Sequence, residues 1–104
     1  MNPRVVGFEW NAANRDKCQK HGVSVAAIES LFQRPIAVFP DPAHSLGKTR
    51  FKAIGKTDEG RCVLIVFTLR ARAGETFIRP ISARYMHAKE VKYYEKEAAK
   101  IEKR

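Results

Sequence analysis

Six consecutive apolar residues, Cys62-Val63-Leu64-Ile65-Val66-Phe67, stand between Arg61 and Thr68. The run is far shorter than the ~20 residues that a membrane span needs, and it lacks the polar alternation of a half-exposed strand. It therefore reads as a central strand covered on both faces. Such a strand needs neighbours on either side, and the flanking turns supply them. Asp58-Glu59-Gly60 and Ala73-Gly74-Glu75 each carry a Gly where a tight reversal requires it. The expected hairpin order is Arg50 to Thr57, then Arg61 to Arg70, then Thr76 to Ala83. Pro80 has no N–H to give a ladder, so the last of these strands should be bulged there or lie at an edge.

The N-terminal third alternates differently. Val5 to Trp10 mixes β-branched and aromatic residues and reads as a first strand. Asn11 is placed to cap a helix from Ala12 to His21, and Gly22 sits where a C′ residue with positive φ ends it. Ser24 caps a second helix with Val25, Ile28, Leu31 and Phe32 on one face. It has no Glu or Gln three residues on, so its capping box is incomplete. Arg34-Pro35 stops that helix, and Ile36 to Phe39 forms a short strand. Pro40 to Gly47 is too rich in Pro and Gly for regular structure. Met86 to Arg104 has no breaker and reads as a long helix, with Val91, Tyr94, Ala98 and Ile101 as the stripe that would lie on the sheet. The order describes one α+β domain of 104 residues with a mainly antiparallel sheet of four or five strands, two N-terminal helices and one C-terminal helix.

Twenty Lys and Arg against eleven Asp and Glu give a net charge of +9. On so small a surface that charge favours a polyanion or an acidic protein partner. Cys18 and Cys62 lack the spacing of a zinc knuckle or a CxxC pair, and they read as reduced thiols. The N-terminus lacks the h-region of a secretory signal, which makes a cytoplasmic protein the expectation. No Walker motif, GxSxG elbow or GxGxxG occurs, and three separated histidines make no metal-ligand set.

Several separated pieces carry a family resemblance: Phe8-Glu9-Trp10 with Asn14; Lys20-His21-Gly22-Val23-Ser24; Asp41 with His44-Ser45; Arg50-Phe51 and Ile54-Gly55; Gly60-Arg61; Thr68-Leu69-Arg70; and Ile78-Arg79-Pro80-Ile81-Ser82-Ala83-Arg84 followed by Glu90 and Tyr94. In this order and spacing the chain resembles the BrnT toxins of bacterial type II toxin–antitoxin systems. The resemblance implies a RelE-like small ribonuclease that cleaves RNA without a metal or other cofactor and blocks translation. It also implies a BrnA-type ribbon-helix-helix antitoxin that covers the toxin and brings the complex to operator DNA. One departure stands out: where the family reads Gly-Glu-x-Arg, this chain reads Gly47-Lys48-Thr49-Arg50, a base in place of an acid. A member so altered could bind antitoxin or nucleic acid without cutting.

Cleavage of RNA by its own 2′-OH needs a base, an acid and positive charge on the pentacovalent phosphate. Histidine suits the first two roles, and the planar fork of arginine suits the third. The candidate catalytic residues are accordingly His44, Arg50, Arg70, Arg79 and Arg84, with Lys48, Lys52, His87 and Tyr94 as RNA-binding candidates. Most have a plainer alternative. His44 would anchor its loop on Asp41, His87 would border the core, Tyr94 would pack, and Arg50, Arg70 and Arg79 would pair with Asp41, Glu75 and Glu90 at strand ends. In a regular strand Arg79 and Ile81 share one face while Ile78, Pro80 and Ser82 share the other. Whether Arg50, Arg70 and Arg79 meet on one face depends on register.

Overall fold

The computed structural model describes residues 5–41 and 49–102, with side chains described as far as residue 97. Its elements are β1 (Val5–Phe8), α1 (Ala12–Gln19), α2 (Val25–Phe32), β2 (Ala37–Pro40), β3 (Arg50–Lys56), β4 (Cys62–Arg72), β5 (Glu75–Tyr85) and α3 (Ala88–Glu102). This is the expected α+β arrangement, with five strands in one sheet ordered β1-β5-β4-β3-β2. β1 runs parallel to β5 and the other pairs are antiparallel.

The ends of the elements differ from the sequence reading by at most two residues. α1 stops at Gln19, short of His21, and β4 and β5 extend further into their shared hairpin. There Ala73 (φ 51°) and Gly74 (φ 79°) both hold positive φ, a conformation suited to the twist of a two-residue hairpin. Ser24 caps α2 by accepting from the Ala27 N–H at 3.1 Å. At the start of α1, Asn11 and Asn14 each accept the other's backbone N–H, at 2.6 and 2.9 Å, giving α1 the reciprocal box that α2 lacks.

The sheet has two unlike faces. α1 and α2 cover the first, where Val63, Ile65 and Phe67 of β4 pack with Ala53, Ile28, Leu31, Val23, Cys18 and Ile78 as the core. Phe32 meets Phe8 and Phe67 edge-on at 5.8 and 5.1 Å, and Phe51 stacks on Phe67 at 5.5 Å. Phe8 and Trp10 pack against this core, and the Trp10 indole donates to Glu29 at 2.8 Å. Both cysteines are free and buried, and burial pushes the Cys18 thiol up to about 11.

On the second face Leu64 and Val66 are only half-buried, so the central apolar run is covered fully on one side and partly on the other. α3 crosses this side. Its Tyr94 meets Phe39 edge-on at 6.0 Å, and a groove of about 800 Å³ separates the helix from Phe39, Ile54 and Leu64.

Pro80 lies in an interior strand, not at an edge, and the alternative of a bulge is the one realised. Val66 pairs with Ser82 while the next residue, Phe67, pairs with Pro80. One residue of β5 is therefore extra. The bulge corrects the parity argument: Ile78 and Pro80 stay on the core face, but Ser82 moves to the face of Arg79. It also brings Arg79 and Arg84, of opposite parity in a regular strand, to the same side of the sheet.

Candidate functional site

Register answers the question that sequence parity left open. Arg50 pairs with Thr68, and Thr68 pairs with Arg79, so the two arginines flank a buried threonine in one row across β3, β4 and β5. Arg70 and Arg72 follow Thr68 at alternate positions of β4 and thus share its face. Lys52 occupies the adjoining row, opposite Val66. All of these lie on the second face, on the part toward the β4–β5 hairpin.

The organiser of this part is Glu9, which follows β1. Its backbone N–H donates to the Ile78 carbonyl at 2.8 Å, continuing the parallel ladder by one residue. Its carboxylate accepts from Arg79 Nη1 at 2.6 Å and from Arg72 Nε, and Arg70 Nε lies 3.8 Å away. The hydrogen bonds from Arg72 and then Arg79 hold the Glu9 carboxyl at about 2, well below its ordinary value of 4.5. Arg70 Nε is buried and has no hydrogen-bond partner among the described residues. Three guanidinium groups around one carboxylate leave an excess of two positive charges.

Beneath Glu9 lies a buried support. Asn14 Nδ2 donates to the Glu9 carbonyl at 3.0 Å and to the Pro80 carbonyl at 2.8 Å. Asn14 thus ties the start of α1 to the turn carrying Glu9 and to the bulge that sets the parity of β5. Sequence reasoning noted Glu9 and Asn14 only as parts of a motif and missed Arg72. The signal available was an acid directly after a short strand, in a chain with a large excess of arginine.

The remaining candidates lie elsewhere. Arg84 stands opposite Leu64 and forms a two-pronged pair with Glu90 of α3, both contacts 2.7 Å. Glu90 also accepts the His87 N–H at 2.9 Å, and the Arg84 and His87 bonds hold its carboxyl at about 2. Glu90, expected to pair with Arg50, Arg70 or Arg79, takes Arg84 instead, while Arg70 and Arg79 pair with Glu9. His87 is exposed at the head of α3, and Tyr94 packs on Phe39 in the groove. Lys52 Nζ lies 3.9 Å from buried Asp41. His44 and Lys48 lie outside the described residues.

Chemically, this part of the face offers guanidinium groups from three strands, those of β4 and β5 gathered on the Glu9 carboxylate. It suits a phosphate or another anion. Among the described residues, no helix is long and apolar enough to cross a membrane. A family model described as the ribonuclease toxin, BrnT, of type II toxin-antitoxin systems matches residues 10–90. No curated protein matches this chain.

Proposed function

The chain belongs to the BrnT family of ribonuclease toxins of type II toxin–antitoxin systems, and on that premise we propose that it is a metal-independent endoribonuclease that inhibits translation and growth in the cytoplasm. The observation that carries this reading is the row Arg50–Thr68–Arg79 with Arg70 beside it, guanidinium groups of three strands on one face.

In this reading the scissile phosphodiester lies over that row. The 2′-oxygen attacks phosphorus, the bond to the 5′-oxygen breaks, and a 2′,3′-cyclic phosphate forms. Arg50, Arg70 and Arg79 stabilise the charge that grows on the phosphoryl oxygens, a role in which one well-placed donor contributes about 10²–10³ in rate. His44, six residues ahead of Arg50 in sequence, is the proposed proton carrier. Lys48, Lys52 and His87 hold the backbone, and Tyr94 contacts the strand from the edge of the groove. Arg84 acts from the α3 end of the same face.

The proposed partner is a BrnA-like ribbon-helix-helix antitoxin, through which alone the toxin reaches operator DNA. A net charge of +9 supports a partner that covers this face with acidic or apolar side chains.

A second reading has its own support: Lys48 replaces the family's acid, and Glu9 and Glu90 hold several of the arginines in ion pairs. In it the protein binds antitoxin or RNA without cutting. Purified protein incubated with single-stranded RNA and EDTA separates the two. Chelator-resistant cleavage ending in a 2′,3′-cyclic phosphate is the expected result. RNA that stays intact at high protein concentration, for the natural chain and for Lys48→Glu alike, favours the second reading.

A further inference from the structure

Thr68, Arg70 and Arg72 step along one face of β4, each about 6.8 Å beyond the last. The first stands in the row between Arg50 and Arg79, and the third reaches the mouth of the hairpin. Exposure rises along this path. The Arg79 side chain is 26% exposed, that of Arg70 35% and that of Arg72 64%.

An arginine so exposed ordinarily samples many rotamers, and fixing it on a ligand costs entropy. Arg72 is different because its Nε donates to Glu9, which Arg79 also holds. Each guanidinium has five N–H donors. Glu9 accepts one from Arg72 and one from Arg79, which leaves the outer edge of the Arg72 fork for a second anion. Among the described residues, no other carboxylate pairs with Arg70, Arg72 or Arg79. Glu75, opposite Arg72 in register, is exposed and makes no ion pair with it.

We propose that Arg72, held in place by Glu9, is a binding residue for the phosphate adjoining the one that lies over the Arg50–Thr68–Arg79 row, so that β4 and β5 hold two successive phosphates of one RNA strand. The proposal rests on the RNA reading above. It assigns Arg72 a ligand and Glu9 a positioning role, since Glu9 touches the RNA only through the guanidinium groups it orients.

The test uses two non-cleavable probes, a 2′-O-methyl hexanucleotide and a 2′-O-methyl dinucleotide with a single phosphate. Binding is followed by fluorescence anisotropy and by chemical-shift titration across a range of salt. Arg72→Ala should weaken hexanucleotide binding about threefold to tenfold and make the slope of log K against log salt shallower by about 0.7, the value of one single-strand phosphate contact. Dinucleotide binding should match that of the natural chain. Arg72→Lys should keep the salt slope, which guards against a merely misfolded variant. Unchanged hexanucleotide affinity and slope in Arg72→Ala overturn the assignment, as does an equal loss for both probes. Because the probes are not cut, binding without any cleavage of ordinary RNA defeats the nuclease proposal and leaves this one standing. A natural chain that binds neither probe defeats the RNA reading of the whole face.

Discussion

Glu9 and Arg79 are seventy residues apart in the chain and meet at 2.6 Å. The contact joins the end of the first strand to the middle of the last, so the arginine cluster around Glu9 exists only once β1 has docked beside β5. Folding and the assembly of the site are one event at this position.

That linkage makes stability depend on acid. The Glu9 carboxyl sits at about 2 in the folded chain against an ordinary 4.5, the bond from Arg72 being the largest cause. A depressed carboxyl contributes its stabilisation in full above 4.5 and loses it as pH falls toward 2. The melting temperature should therefore drop across that window. Glu90 adds to the slope because it is held at about 2 as well, chiefly by Arg84. Glu9→Gln should melt lower at neutral pH and lose less on acidification, which thermal scans from pH 7 to pH 2 would measure. Parallel curves for the two proteins would contradict the assignment.

Arg79 should affect both rate and stability. Arg79→Ala removes a guanidinium beside the proposed scissile phosphate, and single-turnover RNA cleavage should fall about 100-fold or more. Arg79→Lys keeps the charge but loses the planar fork, so it should recover only part of the rate. The melting temperature of Arg79→Ala should also fall, since Glu9 loses a partner. Cleavage at the natural rate by a folded Arg79→Ala would remove Arg79 from the chemistry.

Much of this architecture was legible in the sequence, and the reasons are local. The unbroken run from Cys62 to Phe67 marked β4 as central, and Gly60 and Gly74 marked the hairpins on either side. Asn11 and Ser24 marked helix starts because a short polar side chain there satisfies a backbone N–H. The site was less legible because it depends on one extra residue. Pro80 announced a bulge, but no local signal says that Val66 pairs with Ser82 and Phe67 with Pro80. That slip decides the sides on which Arg84 and Ser82 lie. Glu9 was hidden for a related reason: its partners come from β4 and β5, and only the parallel docking of β1 brings them near.

The Arg84–Glu90 pair fastens the head of α3 to β5. Farther along, Tyr94 meets Phe39 of the sheet beside a groove of about 800 Å³. Glu90→Gln weakens the first attachment and the cap on the His87 N–H together. The lysine-rich helix, with Lys89, Lys92 and Lys96 exposed, should then be cut faster by trypsin while the sheet stays intact. Mass spectrometry of a digestion time course would show the early products. An unchanged digestion rate would mean that the pair does not hold the helix down.

Ala73 stores backbone strain at the tip of the β4–β5 hairpin. Its φ of 51° is left-handed, where a Cβ costs roughly 1–2 kcal/mol. Gly would relieve that but adds freedom to the unfolded chain, offsetting about 0.5–1 kcal/mol. Asn tolerates the conformation with less such loss, and Asn-Gly is a favoured pair for a two-residue hairpin. Ala73→Asn should therefore stabilise the protein by about 1 kcal/mol, read from the midpoint of urea unfolding at unchanged m-value. A lower midpoint would show that the turn gains nothing from relief at this position.

Asn14 carries the most structure for its size. It is 6% exposed, and its amide donates to the carbonyls of Glu9 and Pro80 while its oxygen accepts the Asn11 N–H. Asn14→Ala leaves the buried Pro80 carbonyl without this donor, and an unsatisfied buried group costs about 1–3 kcal/mol. Loss of the hydrogen bond that the Asn14 oxygen accepts from the Asn11 N–H adds about 1 kcal/mol. The expected total is about 2–4 kcal/mol, a large part of the stability of a domain this small. Asn14→Asp is the sharper variant. Its oxygens can still accept the Asn11 N–H, but a carboxylate cannot donate to either carbonyl, and the repulsion falls on the bulge and on Glu9. It should be no more stable than Asn14→Ala in urea at neutral pH, and whatever folds should bind RNA less well because Glu9 no longer presents the arginines correctly. If Asn14→Asp kept full stability and RNA affinity, the amide would not be the support on which the charged part of the face stands.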